Sequence, residues 1–170
     1  MSTVDFKSMN PITPAFAFSA EEQAEIEQAI HHYEHPRAAL IDVLKIVQKY
    51  RRWVEDGAIP AIANSLGIAV ADVEGVATFY NRIYRRPVGR HVIALCDSVS
   101  CFLTGFDLVH ASLQQRLGIQ SGETTADNRF TLLPVSCLGV CDHGPALMID
   151  NTTHCPVTPG NLQRILEQYP

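Results

Sequence analysis

Apolar positions recur at helical spacing through the first half of the chain and gather into short unbroken runs in the second. Ile26, Ala29, Ile30 and Tyr33 fall on one helical face, and Ser19 with Glu22 ahead of them has the form of a capping box, so the pattern predicts a helix over about 20–34. A second stripe of Leu40, Val43, Leu44, Val47 and Tyr50, opened by Pro36, predicts a helix to about residue 52. Trp53 and Gly57 are expected to close it. Pro60 opens a third helix through Ile62 and Leu66 with Gly67 as its left-handed cap, and Asp72 starts a short fourth through Val76. These four helices, with short connections, make a compact helical domain over 19–84. Before it, residues 1–18 carry Pro11, Pro14 and scattered polar residues without a period, which reads as an irregular lead-in.

From residue 85 to 170 the period changes. Ile83–Arg85 and His91–Cys96 flank Pro87-Val88-Gly89, which reads as a turn between two extended segments, the second apolar enough for a central strand. Leu108, Ala111, Leu113 and Leu117, closed by Gly118, predict a helix over roughly 104–117. After a polar connection, Phe130–Leu133 and then Ala146–Ile149 read as strands, Asp150-Asn151 as a turn, and Thr158-Pro159 as the cap of a last helix carrying Leu162, Ile165, Leu166 and Tyr169. The second half is therefore a small sheet with helices on it, and the whole chain is α/β.

The bulk properties narrow the chemistry without naming it. A net charge of −5 and a pI near 5.7 leave no basic face for phosphates, so nucleic acid is not an expected partner. No run of 18 apolar residues occurs and Met1–Phe18 lacks the form of a signal peptide, so neither membrane insertion nor secretion is expected. In a reducing cytoplasm, closely paired cysteines are ligands or catalysts more often than structural disulfides.

Four of the five cysteines form two such pairs. Cys96 and Cys101 are spaced C-x4-C, Cys137 and Cys141 C-x3-C, and 35 residues separate the pairs. Each pair follows a predicted strand, so a sheet could bring the two loops to one edge. Four thiolates suit a 2Fe-2S cluster, and Gly139 lets backbone approach the sulfurs closely. Structural zinc is the main rival, although its thiolates usually come as C-x2-C knuckles. A dithiol catalyst would want C-x-x-C at a helix start, which no two cysteines here provide, and buried unligated cysteines are the plain alternative. His143 lies beside the second pair without the second C-x-x-H of a Rieske centre, and Cys155 stands apart.

Three stretches carry a resemblance that spacing alone does not. They are Asp72-Val73-Glu74-Gly75-Val76-Ala77-Thr78-Phe79-Tyr80, Cys96-Asp97-Ser98-Val99-Ser100-Cys101 and Cys137-Leu138-Gly139-Val140-Cys141-Asp142-His143-Gly144-Pro145. Together they closely resemble the E subunits of bacterial NADH:quinone oxidoreductase (respiratory complex I), known in mitochondria as the 24-kilodalton subunit. His32-Tyr33-Glu34, Leu44–Gln48 and Gly57-Ala58-Ile59 extend the likeness over nearly all the chain after about residue 16. The resemblance implies an N-terminal helical bundle followed by a thioredoxin-like 2Fe-2S ferredoxin domain, with one cluster of the N1a type on Cys96, Cys101, Cys137 and Cys141. It implies further that FMN and NADH are bound by a partner subunit, that the large iron-sulfur subunit lies close by, and that the assembly's peripheral arm faces the cytoplasm at the inner membrane. The expected role is single-electron exchange with that FMN within a proton-translocating enzyme, with no catalytic activity in the isolated chain. Related subunits of NAD-linked formate dehydrogenases and NAD-reducing hydrogenases are the alternative, and a zinc-stabilised adaptor is the non-redox one.

Overall fold

A computed structural model describes residues 16–170, so most of the lead-in expected over 1–18 lies outside the described residues. The described chain divides into two compact units at Pro87/Val88.

The first unit contains α1 (Ala20–His31), α2 (Leu40–Arg51), α3 (Ala58–Leu66) and α4 (Val70–Phe79). The capping box is formed: the Glu22 N–H donates to Ser19 Oγ at 3.1 Å, and Glu22 Oε2 accepts from the Ser19 N–H at 2.7 Å. Glu22 is nonetheless 2% exposed, and a carboxylate that deep is tolerated only with a full set of partners. Arg51 supplies them in a two-pronged contact of 2.7 and 2.8 Å, and this guanidinium is the main reason the Glu22 carboxyl titrates below its ordinary range. Ile26, Val43, Leu44, Val47, Ile62 and Val73 form the core between the helices. Pro36 begins a short 3-10 turn, Pro36–Ala39, rather than α2 itself. α2 ends on Arg52 in the left-handed conformation (φ 72°), not on Trp53 or Gly57, and Gly67 caps α3 as expected at φ 63°. α4 is longer than its pattern suggests.

The second unit is built on a mixed sheet of β1 (His91–Cys96), β2 (Phe130–Val135), β3 (Leu147–Ile149) and β4 (Thr152–His154), in the order β2-β1-β3-β4. β1 is central, as its apolar run requires. It pairs parallel with β2, in register from His91 opposite Phe130 to Cys96 opposite Val135, and antiparallel with β3. Parallel neighbours need a crossover, supplied here by α5 (Val99–Leu103) and α6 (Phe106–Leu117). Pro134, which has no N–H to give a ladder, is tolerated because β2 is an edge strand. Alternate residues Ile93 and Leu95, Phe130 and Leu132, Leu147 and Ile149 pack with Val109, Leu113 and the last helix α7 (Leu162–Leu166) in one core. Ile83–Arg85 forms no strand, and β4, too short and polar for a clear alternation, completes a hairpin at Asp150-Asn151. α7 is preceded by Asn161, whose Oδ1 accepts from the Thr158 N–H at 2.9 Å, so the Thr158 hydroxyl is not its cap.

Candidate iron-sulfur site

Because β1 and β2 run parallel, the segments leaving them emerge at the same end of the sheet, and β3 enters there from the opposite direction. That end carries all four paired cysteines. Cys96 is the last residue of β1, Cys101 lies on α5, Cys137 is in the loop after β2, and Cys141 opens a 3-10 turn over Cys141–His143. The expectation that both pairs lie in loops is thus corrected for the first pair: a strand end and a five-residue helix hold it.

Burial separates the pairs. Cys96 and Cys101 are buried and form a small apolar cluster with Ala146, against which Leu138 and Val140 pack, while Cys137 and Cys141 are exposed. No disulfide joins any of them, and the Cys137 and Cys141 sulfurs are 3.1 Å apart in a thiol hydrogen bond. Among the described residues no three His, Cys, Asp or Glu side chains converge on a single ion's position. The thiols stand as two close pairs, Cys96 with Cys101 and Cys137 with Cys141.

Polar groups aim at the sulfurs. The Gly139 N–H donates to Cys137 Sγ at 3.3 Å from a backbone at φ 86°, the left-handed conformation for which glycine is expected. Burial would push the Cys96 thiol up, but N–H groups of Ser98 and Leu138, the Cys101 thiol and the Ser98 hydroxyl all donate to its sulfur, and together they hold it below the ordinary thiol value. Burial raises Cys101 to about 11, reinforced by its bond to Cys96 and opposed by the Ala146 N–H. Cys141 is raised chiefly by its contact with Cys137, while the Ser100 hydroxyl donates to its sulfur across the two loops. Donors to sulfur stabilise its anionic form, so the same groups that would tune a cluster already surround the bare thiols. By sequence alone Ser98 and Ser100 read as solvent-facing; both are half-buried. Thr104, Gly144 and Ala146 bear no ligand chemistry; Gly144 lies within the second cysteine stretch, and nothing in the local sequence of Thr104 or Ala146 marks them as part of the site. His143 contacts Asp142 at 2.8 Å with both side chains well exposed, and Cys155 is exposed on a separate segment.

Residues 26–170 match the family of thioredoxin-like [2Fe-2S] ferredoxins. The chain is 56% identical over 163 residues to the E subunit of NADH-quinone oxidoreductase from Escherichia coli (strain K12), covering 96% of this chain and 98% of that protein. It is 58% identical over 157 residues to the E subunit from Pseudomonas aeruginosa, covering 92% and 95%. The chain belongs to the family of NADH-quinone oxidoreductase E subunits. Its fold is also similar to part of an NAD+-reducing [NiFe]-hydrogenase structure, with a TM-score of 0.62 over 74% of this chain. At 21% identity and 22% coverage of that hydrogenase chain, the likeness is one of fold alone. The family and the donor set agree: an iron-sulfur cluster fits four thiols at one sheet end with N–H and O–H donors to their sulfurs.

Proposed function

We propose that this chain is the single-electron carrier beside the flavin of a proton-translocating NADH-quinone oxidoreductase, holding one 2Fe-2S cluster of the N1a type on Cys96, Cys101, Cys137 and Cys141. When bound, such a cluster supplies a one-electron redox centre. Every other part of the role falls to the chain's own residues. Cys96 and Cys101, fixed by β1 and α5, would hold such a cluster from the buried side, and Cys137 and Cys141 from the exposed side. Ser98, Leu138, Gly139, Ala146 and Ser100 donate to the sulfurs and disperse their negative charge. The observation that carries the reading is the meeting of all four thiols at one end of the sheet, with donors in place, in a chain more than half identical to the E subunits of two bacterial enzymes.

FMN and NADH are then bound by a partner subunit, with the large iron-sulfur subunit nearby, on the cytoplasmic side of the bacterial inner membrane. Two features support a docked role: the exposed second pair, and the bare apolar side chains of Val99, Phe102 and Leu103 on the helix that carries Cys101. Among the described residues no single helix is long and apolar enough to cross a membrane. With the flavin that takes the hydride on the partner, the isolated chain is expected to have no NADH oxidation of its own.

Anaerobically purified chain should contain two iron and two acid-labile sulfide, about one cluster per four thiolates, and become paramagnetic on one-electron reduction. Colourless protein holding zinc and no sulfide would replace the proposal with a structural adaptor. Pull-down from native membranes should recover a flavin subunit together with quinone-reducing partners. A hydrogenase or formate dehydrogenase in their place would move the chain to the related enzymes.

A further inference from the structure

Two glycines in the second cysteine loop are there for opposite reasons, and the difference points to a positioning device. Gly139 has φ 86° and nothing within 4 Å of where a Cβ would stand, so conformation alone requires it. Gly144 has φ −66° and ψ 162°, which any residue adopts. Space is what it lacks. A Cβ there would lie 2.7 Å from Thr104 Oγ1, 3.3 Å from Cys101 Sγ and 3.4 Å from Cys101 Cα.

Thr104 is itself held. Its hydroxyl donates to the Ser100 carbonyl at 2.8 Å and lies 3.2 Å from the Cys101 carbonyl, while its N–H donates to Ser100 O at 3.1 Å, tying off the helix on which Cys101 sits. A helix of five residues has little cohesion of its own. The next two residues after Gly144 continue the contact. A Cβ on Gly105 would meet Pro145 Cγ at 3.7 Å. Ala146 accepts from the Cys96 N–H at 3.1 Å and gives its own N–H to the Cys101 sulfur. Residues 144–146 thus touch both cysteines of the first pair, beginning only three residues beyond Cys141.

We propose that Thr104 and Gly144 are a pair of positioning residues that clamp the second cysteine loop onto the helix of Cys101 and so set that sulfur's place in the four-thiol constellation. The cluster consequence rests on the function proposed above; the clamp itself does not. Its chemistry is that of a ligand supported from behind: a displaced Cys101 sulfur loses the Ala146 N–H and would be held less well for a bound cluster.

Two readouts separate the clamp from the cluster. In iron-free full-length chain, Gly144→Ala should raise the alkylation rate of Cys101 by about tenfold, because a displaced thiol gains solvent and loses its packing. In loaded protein the same substitution should shift the reduced-state paramagnetic signature and lower iron retention against a chelator by about tenfold. Where Gly144→Ala fails to fold by circular dichroism, Thr104→Val and Thr104→Ser decide: valine keeps the shape and loses the hydroxyl, so it should speed Cys101 alkylation, whereas serine should not. Wild-type alkylation of Cys101 in Gly144→Ala, or equal rates in the two Thr104 variants, would overturn the clamp. Wild-type protein that takes up no iron and sulfide would instead overturn the function, leaving the alkylation result to judge the clamp.

Discussion

Cys96 and Cys101 are each 2% exposed, packed under Ala146 and anchored to the central strand and a short helix, whereas Cys137 and Cys141 stand open to solvent in a loop with little regular structure. The first pair is fixed by the same forces that fold the domain: β1 cannot shift its register without turning Ile93 and Leu95 out of the core. The second pair is fixed by a local backbone device, a positive-φ glycine, and by one tertiary contact, the close approach of Gly144 to Cys101. The comparison teaches how one sheet end holds two unlike thiol pairs. Under the proposed function, half of the ligand set is built into the core and the other half is left where a partner could come near it.

The harshest test of that division is loss of each thiol in turn. Cys96→Ser, Cys101→Ser, Cys137→Ser and Cys141→Ser should each cut iron and sulfide content by about tenfold or more, since all four thiolates are spoken for in a 2Fe-2S site. Cys155→Ser, on its separate segment, should leave both unchanged. Full retention in Cys137→Ser or Cys141→Ser would break the comparison at its root, because the exposed pair would then be no ligand.

The pH dependence of alkylation in iron-free protein sharpens the contrast within the buried pair. Only the thiolate reacts, so Cys101, held at about 11, should gain rate about tenfold per pH unit through the neutral and mildly alkaline range. Cys96 is lowered by the donors around its sulfur and should level off first. Linkage gives the two opposite signs. The raised Cys101 favours its protonated form on folding, a stabilisation present below the ordinary thiol value and lost as pH rises through about 11. The depressed Cys96 favours its thiolate, a stabilisation present above the ordinary value and lost as pH falls through its folded one. Peptide mapping of alkylated protein across the pH range reads both; parallel profiles would show that the donors at Cys96 do not act.

Much of this site is legible in the sequence. Cys96 at the end of an apolar run and Gly139 between two cysteines follow from strand periodicity and from glycine's freedom at positive φ, both local properties of the chain. The helices α1 and α6 are legible for the same reason, the first from its capping box and the second from Leu113, Leu117 and Gly118. What stays hidden is non-local. Val99–Leu103 is too short to show a period, and Ser98 before it and Ser100 within it look like loop residues until the folded chain turns their hydroxyls toward Cys96 and Cys141. Gly144 carries no conformational signature at all; its reason is a neighbour 40 residues earlier in the chain, Thr104. Local chemistry locates the candidate ligands, and only tertiary contact identifies what holds their side chains in place.

The smallest expected effect is at the exposed pair's own glycine. Gly139→Ala places a side chain at φ 86° with no atom within 4 Å to clash, so its cost is conformational and should be about 1 kcal/mol in the unfolding of iron-free protein. The Gly139 N–H still points at Cys137 if the loop keeps its shape, so iron content should fall much less than in Gly144→Ala. Denaturant unfolding and iron analysis of the two alanine variants, side by side, measure the difference. A larger loss of iron at Gly139 than at Gly144 would mean that the backbone turn over Cys137, and not the contact beneath Cys101, is what holds the four thiols together.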